Sequence, residues 1–157
     1  LTAQLRKYFT YSSEGYLVCK KATRHRSVGQ KVMGTLHHSG YLVFLFLGKQ
    51  VRYHRAIYLL HRTSINGVID HVNRNKLDNR IENLRDVTHS QNAWNKDKAN
   101  TNSSGVKGLR WLEAKGLWRG VVKKNYKMYY VHSADKNKAI EKLEKLRKEL
   151  HGEFAVS

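Results

Sequence analysis

The chain is 157 residues long and 40% hydrophobic, enough for modest cores in one domain or two small ones but not for a large one. Its one cysteine, Cys19, excludes a disulfide framework and any Cys-x-x-Cys zinc site. No apolar run approaches the ~20 residues that span a bilayer, and no secretory signal is read, so a cytoplasmic protein is expected. Thirty Lys and Arg against twelve Asp and Glu give a net charge of +18. The excess is shared, with residues 1–98 at +11 and residues 99–157 at +7. Both parts would attract a polyanion, and aromatic residues interleaved with the basic ones favour nucleic acid over a membrane surface or a merely soluble basic protein.

In chain order, Tyr8–Tyr11 and Tyr16–Lys20 read as a hairpin around Ser12-Ser13-Glu14-Gly15, and residues 21–33 as a polar, basic loop. Gly40–Leu47 and Gln50–Tyr53 read as a second hairpin turning at Gly48-Lys49. His54–Arg62 reads as a helix that buries Ile57, Leu59 and Leu60. Asn66-Gly67 is a turn before a short strand, Val68–His71. Residues 73–80 form a polar loop whose only apolar side chain is Leu77. Ile81–Asn83 then lead into Leu84 and Val87, which anchor that loop, and His89–Lys96 reads as a helix.

Small polar residues at 97–105 make the best linker in the chain. The expected division is an N-terminal domain over 1–97, a linker at 98–104 and a C-terminal domain over 105–157. In the last, Val106–Trp111, Leu117–Lys124 and Lys127–His132 read as three strands. A final helix, capped by Ser133 or Asp135 and ended by Gly152, lines up Ala139, Leu143, Leu146 and Leu150. The fold class expected is therefore α+β.

The chemistry-bearing set is Asp70-His71, then Asn83, then Asn92. A strand delivers the first two, and a helix presents the last. Phosphodiester hydrolysis needs a base near neutrality, which suits His71. It also needs a cation against the phosphorane charge, and Asp70 and Asn92 are hard oxygen donors that suit a magnesium-like ion. The Asn83 amide is a brace able to hydrogen-bond across the loop and hold His71. Arg74, Lys76 and Arg80 flank the site as candidate phosphate contacts. His54 is read as structural, and His37, His38 and His61 show no partner pattern. In the C-terminal domain, Lys107, Arg110, Arg119 and Lys123 are placed on the first two strands among Trp111 and Trp118, as a sheet that can enter a DNA groove.

The run IDHVNRNKLDNRIENLRDVTHSQNAWN resembles the ββα-metal core of phage His-Asn-His homing endonucleases. GYLVFLFLGKQVRYHRAIYLLH and YFTYSSEGYLVCKK resemble the segments that precede it, so the likeness spans roughly residues 5–97, with the core at about 50–96. It implies His71 as general base, Asn83 as the central Asn, and Asp70 and Asn92 as ligands of Mg2+ or Mn2+. Asn92 stands where many relatives have His. SSGVKGLRWLEAKGLWRGVV with AIEKLEKLRKELHGEFA resembles the ethylene-response-factor (Apetala-type) DNA-binding domain, although KMYYVHS departs from the plant pattern. Together the resemblances imply an endonuclease acting on double-stranded DNA as a monomer or homodimer, nicking one strand per engagement. The alternatives are a DNA-binding regulator with an inactive nuclease core and an RNA-binding protein.

Overall fold

A computed structural model of the chain describes residues 1–96 and 101–155. They form two compact units, Leu1–Thr88 and His89–Ser157. Residues 98–100 of the expected linker lie outside the described residues.

The first unit opens with helix α1 (Thr2–Tyr8) and the antiparallel hairpin β1 (Phe9–Ser12) and β2 (Tyr16–Cys19). A second sheet orders β3 (Thr35–Leu36), β4 (Leu42–Phe46) and β5 (Lys49–Arg52) side by side. Its hairpin turns at Leu47-Gly48, one residue earlier than expected. Phe46 pairs with Lys49, and both turn residues take positive φ, 51° and 73°, the two-residue turn whose twist suits adjacent strands. Helix α2 (Tyr53–His61) follows directly, one residue earlier at each end than the sequence suggests. Strands β6 (Val68–His71) and β7 (Leu84–Val87) then pair antiparallel, with a single 3-10 turn at Ile81–Asn83 before β7.

Alternation along β1, β2 and β4 sends Phe9, Leu17, Phe44 and Phe46 inward, where α1 contributes Leu5 and α2 contributes Ala56 and Ile57. Phe9 meets the rings of Phe44 and Phe46 edge-on at 5.6 and 4.9 Å. Each such side chain contributes about 2–3 kcal/mol by leaving water. Tyr53 ties the layers together: its buried hydroxyl accepts from Leu17 N at 2.9 Å and donates to Val32 O at 2.8 Å. Cys19 is a free, buried thiol of this core.

The second unit begins with α3 (His89–Trp94), shorter than the expected helix to Lys96. Strands β8 (Leu109–Leu112), β9 (Leu117–Lys124) and β10 (Lys127–Ser133) form an antiparallel sheet in the order β10-β9-β8, packed on helix α4 (Lys136–His151). Asp135 is the cap, its carboxylate accepting from Lys138 N at 2.8 Å, and Gly152 takes over at a φ of 56°. Leu109, Val122, Ala139 and Leu143 make its core. The first strand starts later than expected. Ser104 is buried, and with Asn102 it bonds Val106 O, so residues 102–106 fold as a turn and Lys107 precedes β8 instead of lying on it. The protein is α+β, and no helix among the described residues is long and apolar enough to cross a membrane.

Gly67 fixes how closely the β6–β7 pair can close. A Cβ there would lie 2.1 Å from Val87 O, a backbone atom that cannot step aside. Gly67→Ala is therefore expected to cost about 3 kcal/mol or more in urea unfolding, while Gly48→Ala, with open space around it, costs only its backbone strain.

Candidate active site

Asp70 and His71 end β6 and are both buried. The strand is set by Asp86 of β7, whose carboxylate accepts from Asn66 N at 2.7 Å and Gly67 N at 2.9 Å. Asp70 faces Arg85 across the ladder, and one carboxylate oxygen accepts from Arg85 Nε and a terminal guanidinium nitrogen, both at 3.0 Å. This paired geometry compensates the buried carboxylate for lost water.

Beyond His71 the chain makes a loop closed by the Asn83 side chain. Its Oδ1 accepts from Asn73 N at 2.9 Å, and its Nδ2 donates to Asn73 Oδ1 at 2.9 Å and to Asp78 O at 2.8 Å. The expected cross-loop brace is thus present in geometry, but the loop residue that touches His71 is Asn79. Buried Asn79 offers Oδ1 to His71 Nε2 at 3.4 Å, a long bond, and anchors its own Nδ2 on Leu77 O at 3.1 Å. With Asn79 Oδ1 as the acceptor, this arrangement favours the tautomer that carries its proton on Nε2. Burial lowers the His71 pKa below the usual 6.5, against the opposing pull of Asn79 and Asp70.

Two rings close over this imidazole. Tyr41 lies 5.8 Å from it, and His54 stands edge-on at 5.1 Å. His54 is 3% exposed, and its Nδ1 has no hydrogen-bond partner. Burial first, then the charges of His71, Arg52 and Arg55, push its pKa down to about 3. Arg52 and Lys76 stand over the Tyr41 ring at 5.4 and 4.9 Å, so a basic rim borders the buried histidines.

Among the flanking cations, Lys76 also donates to Ser39 O at 2.9 Å. Arg80 is engaged by Asp78, which accepts from its Nε and a terminal nitrogen at 2.8 and 2.7 Å, and whose own pKa is held well below the carboxylate range. Arg74 is exposed and left-handed, with φ at 64°. Asn92 lies on α3, in the second unit, half-buried.

In the second unit's sheet, Arg110 and Arg119 are register partners and share the face away from α4 with Lys123, Met128, Tyr130 and His132. Arg119 lies over the Tyr130 ring at 5.4 Å. Trp111 and Trp118 are partners on the other face, the one that carries Leu109 and Val122. Trp118 packs on the core, whereas Trp111 is 43% exposed. The Lys107 ammonium is held by the carbonyls of Ala93, Trp94 and Lys96 at the end of α3, so its charge serves that helix terminus.

The donor chemistry sets what cation these residues suit. No group of three or more His, Cys, Asp or Glu side chains gathers among the described residues. The Asp70 carboxylate is a hard oxygen donor, which suits a strongly hydrated ion that keeps its waters.

The strand ending in Asp-His, the braced loop and the returning strand fall within a stretch shared with known proteins. A sequence model of the HNH endonuclease family matches residues 51–94. The chain is 37% identical over 87 residues to Protein 3.8 of Escherichia phage T7, covering 55% of this chain and 72% of that one. It is 34% identical over 121 residues to an uncharacterized HNH endonuclease of Acanthamoeba polyphaga mimivirus, covering 75% of this chain and 62% of the viral protein, so it spans about three fifths of that relative. A solved structure of DNA binding and cleavage by the HNH homing endonuclease I-HmuI aligns over 92% of this chain and 85% of that one, with TM-score 0.44 and 18% identity. Residues 51–94 carry an HNH endonuclease domain, the domain of DNA-cleaving enzymes.

Asn79, Tyr41 and Arg85 were missed as site residues, and His54 was read only as structural. The signal for Arg85 was available, since a charged residue in the returning strand can pair across the ladder with Asp70. Nothing in the sequence separates Asn79 from Asn73 and Asn75. The low His54 pKa has a consequence for stability. Between about 3 and 6.5 the unfolded chain binds a proton at this residue that the folded chain refuses, so stability falls as pH drops through that window. His54→Phe keeps a ring beside His71 and Tyr41 without the titration. Its unfolding free energy, measured in denaturant from pH 3 to 7, should slope less steeply than that of the wild type.

Proposed function

We propose that this protein is a metal-dependent endonuclease that hydrolyses phosphodiester bonds of duplex DNA and nicks one strand per engagement. The observation that carries the reading is the buried Asp70-His71 pair at the end of β6, with Arg85 on the carboxylate and Asn79 on the imidazole. His71, kept neutral by burial, takes the proton of a water that attacks phosphorus in line with the 3′ oxygen that leaves. Asn83 holds the loop that keeps Asn79, and through it the imidazole, in place. Asp70 and Asn92 are the residues that would hold Mg2+ or Mn2+, which when bound supplies positive charge against the phosphorane and the leaving oxygen.

The DNA is held by basic side chains. Beside the site we assign this to Arg74 and Lys76, with Arg80 acting on phosphate only if it leaves Asp78. In the second unit we assign it to the open face of the sheet, in the manner of an ethylene-response-factor domain. Arg110, Arg119 and Lys123 are the contacts there, and the exposed Trp111 lies at the edge. The three-stranded sheet on one helix supports that reading. Lys107 and Trp118 are poorer contacts, because one is bound to carbonyls and the other packs on the core. One catalytic imidazole per chain implies that a monomer nicks and that a double-strand break takes a homodimer or a second event. The enzyme would act in the cytoplasm of the cell that holds its target DNA.

Incubation of supercoiled plasmid with the protein and Mg2+ or Mn2+ should yield open circles, and none should form in a chelator. No nicking with any divalent ion would instead favour a DNA-binding regulator. His71→Ala should lower the rate about 100-fold or more with DNA binding retained. Because the base works deprotonated and its pKa is lowered, the wild-type rate should hold as pH falls through 6.5 and decline only below it. A decline beginning above 6.5 would remove His71 from that role. Arg74→Gly separates strain from function: relief of the left-handed backbone should raise stability by ~1 kcal/mol while DNA affinity drops, both read on the same protein.

A further inference from the structure

At the C-terminal end of α4 the second unit holds a cavity of about 450 Å3, lined by Trp94, Gly108, Lys123, Lys124, Arg147 and His151 among others. Among the described residues no acidic side chain lines it. Arg147 is the unusual member. It follows Ala139 and Leu143 on the face of α4 turned to the core, where the helical period calls for an apolar residue, yet it carries a guanidinium that is 5% exposed. Neither terminal nitrogen has a hydrogen-bond partner among the described residues. An arginine keeps its charge when buried, so a desolvated cation with both terminal nitrogens unmet is costly.

The surroundings indicate what would meet them. Gly108 is left-handed, and a Cβ on it would lie 2.7 Å from Val121 O and 3.6 Å from an Arg147 terminal nitrogen, so the cavity wall at Gly108 lies directly against the guanidinium. Lys124 adds positive charge beside His151. His151 donates Nε2–H to Lys123 O at 2.9 Å, and the Trp94 ring stacks on it at 4.1 Å and 7°, giving a flat aromatic wall. A cationic hollow with an aromatic side and no carboxylate suits a phosphate oxyanion, which guanidinium recognises with paired donors.

We propose that this cavity is a phosphate-binding site anchored by Arg147, apart from the catalytic residues. The terminal nitrogens are closed off from water, so a bound oxyanion draws the guanidinium to the cavity face and completes its hydrogen bonds. The phosphate belongs either to a nucleic-acid backbone or to a free nucleotide. The site rests on the cavity alone and stands whether or not the plasmid is nicked.

The test is a titration of the full-length protein with sodium phosphate, at ionic strength held constant with sodium chloride and without divalent ions, followed in 1H–15N spectra. The Arg147 side-chain and Trp94 indole signals should move saturably. Arg147→Leu should lose the response, weakening phosphate binding about tenfold or more, and should unfold at the same or a higher temperature because the buried unpaired cation is gone. Wild-type Arg147 signals that do not move, or an Arg147→Leu protein that answers phosphate as the wild type does, would overturn the site. Should the leucine variant fail to fold, the wild-type guanidinium signal decides alone. Repeating the titration with a deoxynucleoside 5′-monophosphate and with a short duplex identifies the source. A duplex that moves Arg147 together with Arg110 and Arg119 assigns the cavity to backbone phosphate. One that moves only the sheet residues, while the mononucleotide moves Arg147, assigns it to free nucleotide.

Discussion

The amide of Asn83 closes the loop that follows Asp70 and His71. Its three hydrogen bonds, to Asn73 N, Asn73 Oδ1 and Asp78 O, tie the start of the loop to its end. Asn83 is buried, so those bonds are shielded from water, and losing any one leaves a desolvated polar group behind. Smaller turns hang on this closure: Asn73 Oδ1 accepts from Asn75 N at 2.9 Å and Asn75 Oδ1 from Leu77 N at 3.1 Å, which delivers Asn79 inward. A loop with no apolar anchor but Leu77, itself exposed, cannot be held by packing and is held by amides instead.

The same closure explains how an imidazole can be both buried and usable. Burial alone favours the neutral ring, and the Tyr41 and His54 rings extend that effect from the side of the second sheet and α2. Asp70 and Asn79 work in the opposite direction, since both favour the protonated ring. Desolvation wins, but the opposing pair keeps His71 far from the fate of His54, which lacks such partners and is pushed to about 3. Two histidines touching one another are thus separated in basicity by the company each keeps. Arg85 adds the complementary constraint by holding the Asp70 carboxylate to the strand.

Most elements were legible because the physics that places them is local. The alternation in Phe9–Ser12 and Leu42–Phe46, the Asn66-Gly67 turn, and the four-three-four spacing from Ala139 to Leu150 each encode one burial face. Helix α1 was not legible: TAQLRKY buries only Leu5, and a single apolar residue has no period. Strand β3 is two exposed residues that exist only because β4 offers them an edge. At the site, Asp70, His71 and Asn83 were readable from residue type and order. Asn79 was hidden among like residues, and Tyr41 comes from a strand edge some thirty positions earlier. Arg147 was obscured by the opposite cause: the helical period placed it inside, and its charge argued for outside.

That conflict bears on how the net charge of +18 is used. Several of the thirty basic side chains are already engaged within the fold. Arg85 is bound to Asp70, Arg80 to Asp78, Lys107 to the carbonyls ending α3, and Arg26 donates to Leu45 O at 3.3 and 3.2 Å. Charges so bound are poor phosphate contacts, because binding DNA would first have to break them. Cations better placed to meet a polyanion are those whose partners are rings, such as Arg119 on Tyr130 and Arg52 over Tyr41, since a π face orients a cation without neutralising it. Affinity for DNA should therefore follow this smaller set and not the formal charge. The salt dependence of binding, whose slope counts phosphates neutralised, is the quantity that separates the two.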